Sequence, residues 1–394
     1  MTNNKKKYIP ELRFPEFQNT GEWRIITLGQ FATIVMGQSP SSNNYNKIGD
    51  GIPLLQGNTD VKDRKQIIRI YTTEITKTCD NNDIIMTVRA PVGTISKAIS
   101  HSCIGRGVCA IKTNSDYLYY YLISIEKQWE ELSSGSTFGS ITSDQIIGRK
   151  IVIPESKIEQ SKIAACLSSL DNYIDATKRK LELLKEYKKG LMQQLFPRNE
   201  KNISELRFPE FSGKWQEKRL GDSFDERNEK NRGDLPLLSL GDKGLLYQCD
   251  TNRKDNSNAN KSKYLRVAFG DIAYNTMRMW QGRCVFVDKE GIVSPAYTVC
   301  HPKEGVDSMF HYYLFKTYKM IDLFHQNSQG LVSDTLNLKF ETFSKIKYFI
   351  PPSLTEQKKI ANFLSKLDAL IISEIKQIEA LEVHKKGLMQ RLFP

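Results

Sequence analysis

The chain has 394 residues, room for two or three domains of ordinary size. Apolar residues make up 39% and charged residues 26%, which suits a globular chain and excludes a disordered one, and no apolar run reaches the ~18 residues that would span a bilayer. The net charge of +12 favours a polyanionic partner, nucleic acid first, although the excess is spread thinly along the chain.

Residues 1–22 open with Lys5-Lys6-Lys7, but Tyr-Ile-Pro-Glu follows rather than an apolar segment. This is not the pattern of a signal peptide, so a cytoplasmic location is expected. Cys79, Cys103, Cys109, Cys166, Cys249, Cys284 and Cys300 are odd in number and never spaced C-x-x-C, as reduced, mostly buried thiols would be.

Residues 23–153 read as a mixed α/β module. The strand-like runs are 30–35, 83–88, 108–112 and 146–153, and 116–132 is helix-like. Tyr117, Tyr119, Tyr120 and Tyr121 on that helix suit a core better than base stacking. Polar loops between the strands offer Gln38, Ser39, Asn43 and Asn44, then Gln56 and Asn58, then Thr87 and Arg89, and Arg106 inside Gly105-Arg106-Gly107. Arginine pairs bidentately with guanine, and Asn or Gln with adenine. Each side chain alone reads most simply as part of a solvated turn; the set reads as a DNA-reading surface.

Residues 154–197 begin with Pro154 and step by four and three through Ile163, Leu167, Leu170, Ile174, Thr177, Leu181, Leu184, Lys188, Leu191 and Leu195. This is the a/d seam of a coiled coil, and residues 163–195 as a helix span roughly 50 Å. Two ordinary amphipathic helices packed on their own domains would meet part of the pattern. The narrow seam over four to five heptads favours the coiled coil.

Residues 198–214 form a linker, and residues 215–350 form a second module. Its helix-like run is 309–324. Its loop residues with base-reading chemistry are Asn275, Arg278, Met279, Trp280 and Gln281, then Ser328 and Gln329. Residues 351–394 repeat the seam at Ile360, Leu364, Leu367, Ile371, Glu374, Ile378, Leu381, Lys385, Leu388 and Leu392. Parallel and antiparallel pairing both satisfy the seam. Antiparallel pairing would let Lys188 face Glu374 and Thr177 face Lys385, a polar register mark.

The chain is thus an internal repeat. Glu11-Leu-Arg-Phe-Pro-Glu-Phe17 recurs identically at Glu205–Phe211, and 24 of 45 positions match without a gap between Ile153–Pro197 and Ile350–Pro394. The two modules diverge, which implies two related tasks on different targets. Catalytic patterns are missing: His101, His301, His311, His325 and His384 have no paired-ligand spacing. There is no phosphate-binding P-loop. Glu186-Tyr-Lys188 and Glu374-Ile-Lys376 have nuclease-like spacing but lie on the heptad helices. A reader and scaffold fits these residues better than a catalyst, and a protein-assembly scaffold without DNA readout of its own is the second reading.

The repeated E-L-R-F-P-E-F…W…L-G segment, the I-P-x-S…E-Q-x-K-I-A…L-D…K-K-G-L-M-Q-x-L-F-P helix and Val293-Ser-Pro-Ala-Tyr297 together resemble the specificity subunit of type I restriction–modification systems, over essentially the whole chain. The first module has Gly105-Arg-Gly-Val-Cys109 in place of V-S-P-A-Y, so the modules look like different subtypes. The resemblance implies an α/β (α+β) fold: two target recognition domains joined by two long helices in an antiparallel coiled coil with pseudo-two-fold symmetry. It implies a non-catalytic subunit that reads a bipartite, asymmetric double-stranded DNA site in host defence. It also implies two methyltransferase subunits and two ATP-dependent restriction subunits as partners, which would bind S-adenosylmethionine, ATP and Mg²⁺. No cofactor, metal or membrane is expected on this chain.

Overall fold

The computed structural model describes residues 8–133, 139–197, 202–241, 244–251, 257, 260–331 and 335–394. Two helices of 39 residues, Lys157–Leu195 and Leu354–Leu392, run through it, each about 58 Å long at 1.5 Å per residue. The chain forms two compact units, residues 1–178 with 376–394 and residues 179–375. Neither long helix is therefore a domain of its own. An isolated amphipathic helix is marginal in water, and each half-helix buries its seam within one unit.

In the first unit, Arg24–Thr27 pairs antiparallel with Lys150–Ile153, Arg24 opposite Ile153. The module thus leaves its frame where it entered. A six-stranded sheet runs in the order 33–36, 108–112, 84–87, 95–97, 65–66, 61–62, and a five-stranded sheet in the order 45–46, 71–72, 52–55, 102–104, 78–79. Helices Asp116–Ser124 and Glu126–Ser133 lay Tyr117, Tyr121 and Trp129 into a core with Trp23. The last turns of the second long helix complete that core: Phe393 packs 5.7 Å from the Tyr117 ring and 5.8 Å from Tyr121.

The second unit repeats the frame. Gln216–Arg219 pairs with Lys347–Ile350. The strands 224–226, 297–302, 272–275 and 284–286 form a four-stranded sheet. Helices Ser308–Phe315 and Tyr318–Asn327 pack Phe310 against Trp215 and Phe196. Phe196 here comes from the end of the first long helix, as Phe393 comes from the end of the second.

Some element boundaries differ from the sequence expectation. The start of the run 30–35 lies in a short helix, Leu28–Phe31, with a capping box between Thr27 and Gln30. The run 146–153 divides into a helix, Ser143–Ile147, capped by Thr142 and Gln145, and a strand, Lys150–Ile153. In both places an S/T-x-x-Q capping pattern outweighs β propensity. The aromatic run 116–132 breaks at Ile125.

Within each unit the two long helices run antiparallel. Lys178 pairs with Glu382 and Lys385 with Asp171 in the first unit; Lys180 pairs with Glu374 and Lys188 with Asp368 in the second. Ile163, Leu167, Ile174, Leu181, Leu191, Ile360, Leu364, Leu367 and Ile378 are buried, and Leu170, Leu184, Ile371, Leu381 and Leu388 are partly so. The pairing of Lys188 with Glu374, and of Thr177 with Lys385, does not occur. The register lies under two turns away, where each seam lysine finds an aspartate that also accepts a tyrosine hydroxyl. Thr177 bonds instead to the Tyr173 carbonyl on its own helix.

Candidate nucleic-acid interface

Three loops of the first unit meet backbone against backbone. A Cβ on Gly37 would lie 2.1 Å from the Gly105 carbonyl oxygen, and one on Gly107 would lie 2.0 Å from that of Gln56. Only glycine permits this approach. The Gln38 amide donates to Ile104 O and the Arg106 amide to Ser39 Oγ, so the Arg106 side chain stands exposed between two anchored glycines. The Val88 amide donates to Gly107 O at 2.9 Å. That bond sets exposed Arg89 beside the same loops. Gln38 and Asn58 are also exposed.

The remaining candidates are held more tightly. Gln56 is half-buried and donates its side-chain amide to Tyr45 Oη at 2.9 Å; Asn44 donates to Glu74 at 2.8 Å. Asn43 is exposed beside it. Buried Asp60 caps this turn by accepting the Gln56 amide and the Arg69 guanidinium, both at 2.7 Å. Sequence alone did not single out Glu74, Asp60 or Arg69, because their role is to hold the readers.

In the second unit Asn275, Arg278 and Gln281 line one cleft of about 470 Å³. Asn275 shapes the turn by accepting the Met277 amide at 3.0 Å, and the Arg278 amide donates to Asn275 O at 2.9 Å. Arg283, Tyr297, Tyr312 and Lys316 complete the wall. Arg283 and Lys316 carried no local signal; the fold brings them in. Lys316 lies 4.8 Å over the Tyr312 ring, which holds a cation at the cleft. Trp280 packs 5.6 Å from His325. Gln329 forms paired 2.8 Å bonds with Asn337, and the next residue, Leu338, bonds Thr276. That segment therefore borders the same turn.

Two expected readers are not at the surface. Thr87 is 1% exposed, and its hydroxyl donates to Pro91 O and accepts the Thr94 amide, closing the loop beneath Arg89. Met279 is fully buried in the second unit's core. Both lie in polar loops, and a loop's inward anchors look like its outward side chains in sequence. Ser328 bonds Phe324 O and ends its helix.

Among the described residues no group of three or more His, Cys, Asp or Glu side chains is placed to hold a metal ion, and no helix is long and apolar enough to cross a membrane. Burial pushes the thiols of Cys79 and Cys109 up to about 12, so they stay protonated and weakly nucleophilic.

Known proteins share the two-module plan of this chain. The putative type I restriction enzyme MjaX specificity subunit of Methanocaldococcus jannaschii is 36% identical over 198 residues, a match that spans 48% of this chain and 45% of that relative. The MjaVIII specificity subunit of the same organism is 24% identical over 98% of this chain and 94% of its own. A crystal structure of the type I restriction–modification S subunit from M. genitalium superposes with a TM-score of 0.65 at 17% identity, over 98% of this chain and 99% of that one. At that identity the likeness is one of fold. The family of type I restriction modification DNA specificity domains matches twice, at residues 20–186 and 213–383. With two such domains over most of its length, this chain belongs to that family.

Proposed function

We propose that this chain is the DNA-reading, non-catalytic subunit of a type I restriction–modification complex, and that each module reads one half of a bipartite, asymmetric site. One observation carries the reading. Two diverged modules sit in duplicated frames, and each gathers exposed polar side chains at one place, Arg89 with Arg106 in the first and Arg278 with Gln281 in the second. Exposed arginines on backbone-anchored loops suit guanine edges, and neighbouring amides suit adenine.

Two methyltransferase subunits would dock on the helices, joined by two ATP-dependent restriction subunits. S-adenosylmethionine, ATP and Mg²⁺ would belong to those partners. Supporting this, each unit has a groove floored by the same repeat positions: Met192, Phe196 and Pro197 in about 630 Å³, and Met389, Phe393 and Pro394 in about 760 Å³. A surface offered twice suits two copies of one partner.

The test is methylation mapping after module exchange. Replacing residues 24–150 with the module of another family member should change one half-site of the methylated sequence and leave the other intact. Loss of both half-sites, or change in neither, overturns the reading. An assembly scaffold would give a complex whose DNA affinity is independent of this chain at every salt concentration.

A further inference from the structure

The two units share one constellation outside the reading loops. In the first, Tyr120 on the module helix donates to Asp171 Oδ2 at 2.9 Å, Asp171 lies on the first long helix, and Lys385 of the second long helix donates to the other Asp171 oxygen. Lys385 also lies 5.6 Å over the Tyr120 ring. In the second unit, Tyr313 donates to Asp368 at 2.7 Å, Lys188 donates to the other oxygen, and Lys188 lies 5.1 Å over the Tyr313 ring. Tyrosine comes from the module, aspartate from the long helix that follows that module, and lysine from the opposite helix.

Each group is set for this role. Both tyrosines are nearly fully buried, at 4% and 2% exposure. Burial, then the neighbouring aspartate, pushes both hydroxyls above their ordinary range, so each remains a donor. Charge-assisted hydrogen bonds are the strong ones, and a cation over an aromatic face adds to them. The long-helix residues belong to the repeated L-D and K-K-G segments, but the modules diverge around their tyrosines. A core contact would tolerate Phe at these positions. A hydroxyl kept in both modules beside a shared carboxylate points to a need for direction.

We propose that the two Tyr–Asp–Lys joints are positioning elements that lock each module's angle on its helix pair, and thereby make the complex strict about the number of base pairs between its half-sites. The inference rests on the proposed DNA-reading function. A module can turn on its helices, or the helices can slide, only by breaking the joint, because its three members lie on three elements. The bases read within a half-site depend on the reading-loop side chains, none of which is a member of the joint.

The test uses the full chain assembled with its methyltransferase partner, after the recognised site has been mapped from genomic methylation. DNA carrying that site, and versions with the spacer one base pair shorter or longer, are methylated in competition by wild type and by Tyr120→Phe, Lys385→Met and Tyr313→Phe, with Lys385→Arg as the conservative variant. Tyr→Phe keeps the buried ring, so these variants fold even where Lys385→Met is unstable. The ratio of off-spacer to native-spacer methylation should rise about five- to tenfold in the Phe and Met variants, as loss of one charge-assisted bond implies. Half-site bases should not change, and Lys385→Arg should stay near wild type. An unchanged ratio in both Tyr→Phe variants overturns the joint proposal, whatever happens to the melting temperature. Failure of the wild type to methylate any bipartite site overturns the DNA-reading function instead.

Discussion

Arg13 grips Glu159 through two parallel bonds, Nε to Oε1 at 2.6 Å and Nη2 to Oε2 at 2.8 Å, and its remaining nitrogen bonds the carbonyls of Thr20 and Gly21. The Glu159 side chain is 1% exposed. Arg207 and Glu356 repeat the fork at 2.7 and 2.8 Å. Ser156 and Ser353 cap the two helix starts by accepting the amides of those glutamates, and the helix N-terminus favours their charge. The motif E-L-R-F-P-E-F therefore recurs because its arginine clamps the start of the helix its own module feeds.

Breaking that fork leaves a buried charge. Arg13→Met should lower stability by about 3–5 kcal/mol, and the double variant Arg13→Met with Glu159→Met should recover much of the loss. Urea unfolding of the four-member mutant cycle measures both. Arg207→Met should act alike on the second unit.

Arg278 and Met279 adjoin in sequence but should fail differently. Arg278→Ala should weaken affinity for one half-site by about 1–3 kcal/mol with the melting temperature unchanged. Met279→Ala removes a fully buried side chain and should destabilise the fold by about 2–5 kcal/mol. Binding and melting measured on both variants separate the two outcomes. Arg89→Ala should match Arg278→Ala at the opposite half-site.

Gly107→Ala drives a Cβ into the Gln56 carbonyl. The Arg106 turn must move, so recognition of the first module's half-site should fall at least tenfold while the second half-site is read normally. Methylation of hybrid sites altered in one half measures this.

His311 is fully buried, with Nδ1 2.7 Å from the Asp307 carbonyl oxygen and Nε2 2.9 Å from Tyr348 Oη. A carbonyl only accepts, so Nδ1 carries the proton and Nε2 accepts from Tyr348. Burial pulls this imidazole down to about 4 from 6.5. The unfolded chain therefore takes up a proton first as pH falls. Stability is intact above about 6.5 and should decline between 6.5 and about 4, by up to about 3 kcal/mol. His311→Gln should flatten that part of the pH–stability profile, followed by thermal melting.

Legibility followed the range of the interaction. The 3.5-residue spacing is local, so the seam could be read one step at a time, from Ile163 to Leu195 and again from Ile360 to Leu392. The repeat showed that there are two frames, because backbone clamps such as Arg13–Glu159 demand the same residues at the same offsets. Arg89 and Arg278 stood out because each follows a β-strand into a polar loop. Thr87 and Met279 shared those loops, and nothing local distinguishes an inward anchor from an outward reader.

Composition, spacing and duplication in the chain were enough to establish two α/β modules on two heptad helices, since each of these signals is carried by neighbouring residues. Folding settled which charges meet. The register that matches Lys188 to Asp368 rather than Glu374, the arrival of Phe393 in the first unit's core and the gathering of Arg283 and Lys316 beside Arg278 all join residues distant in sequence. Such contacts follow from the packing of whole surfaces, which no short window of sequence contains.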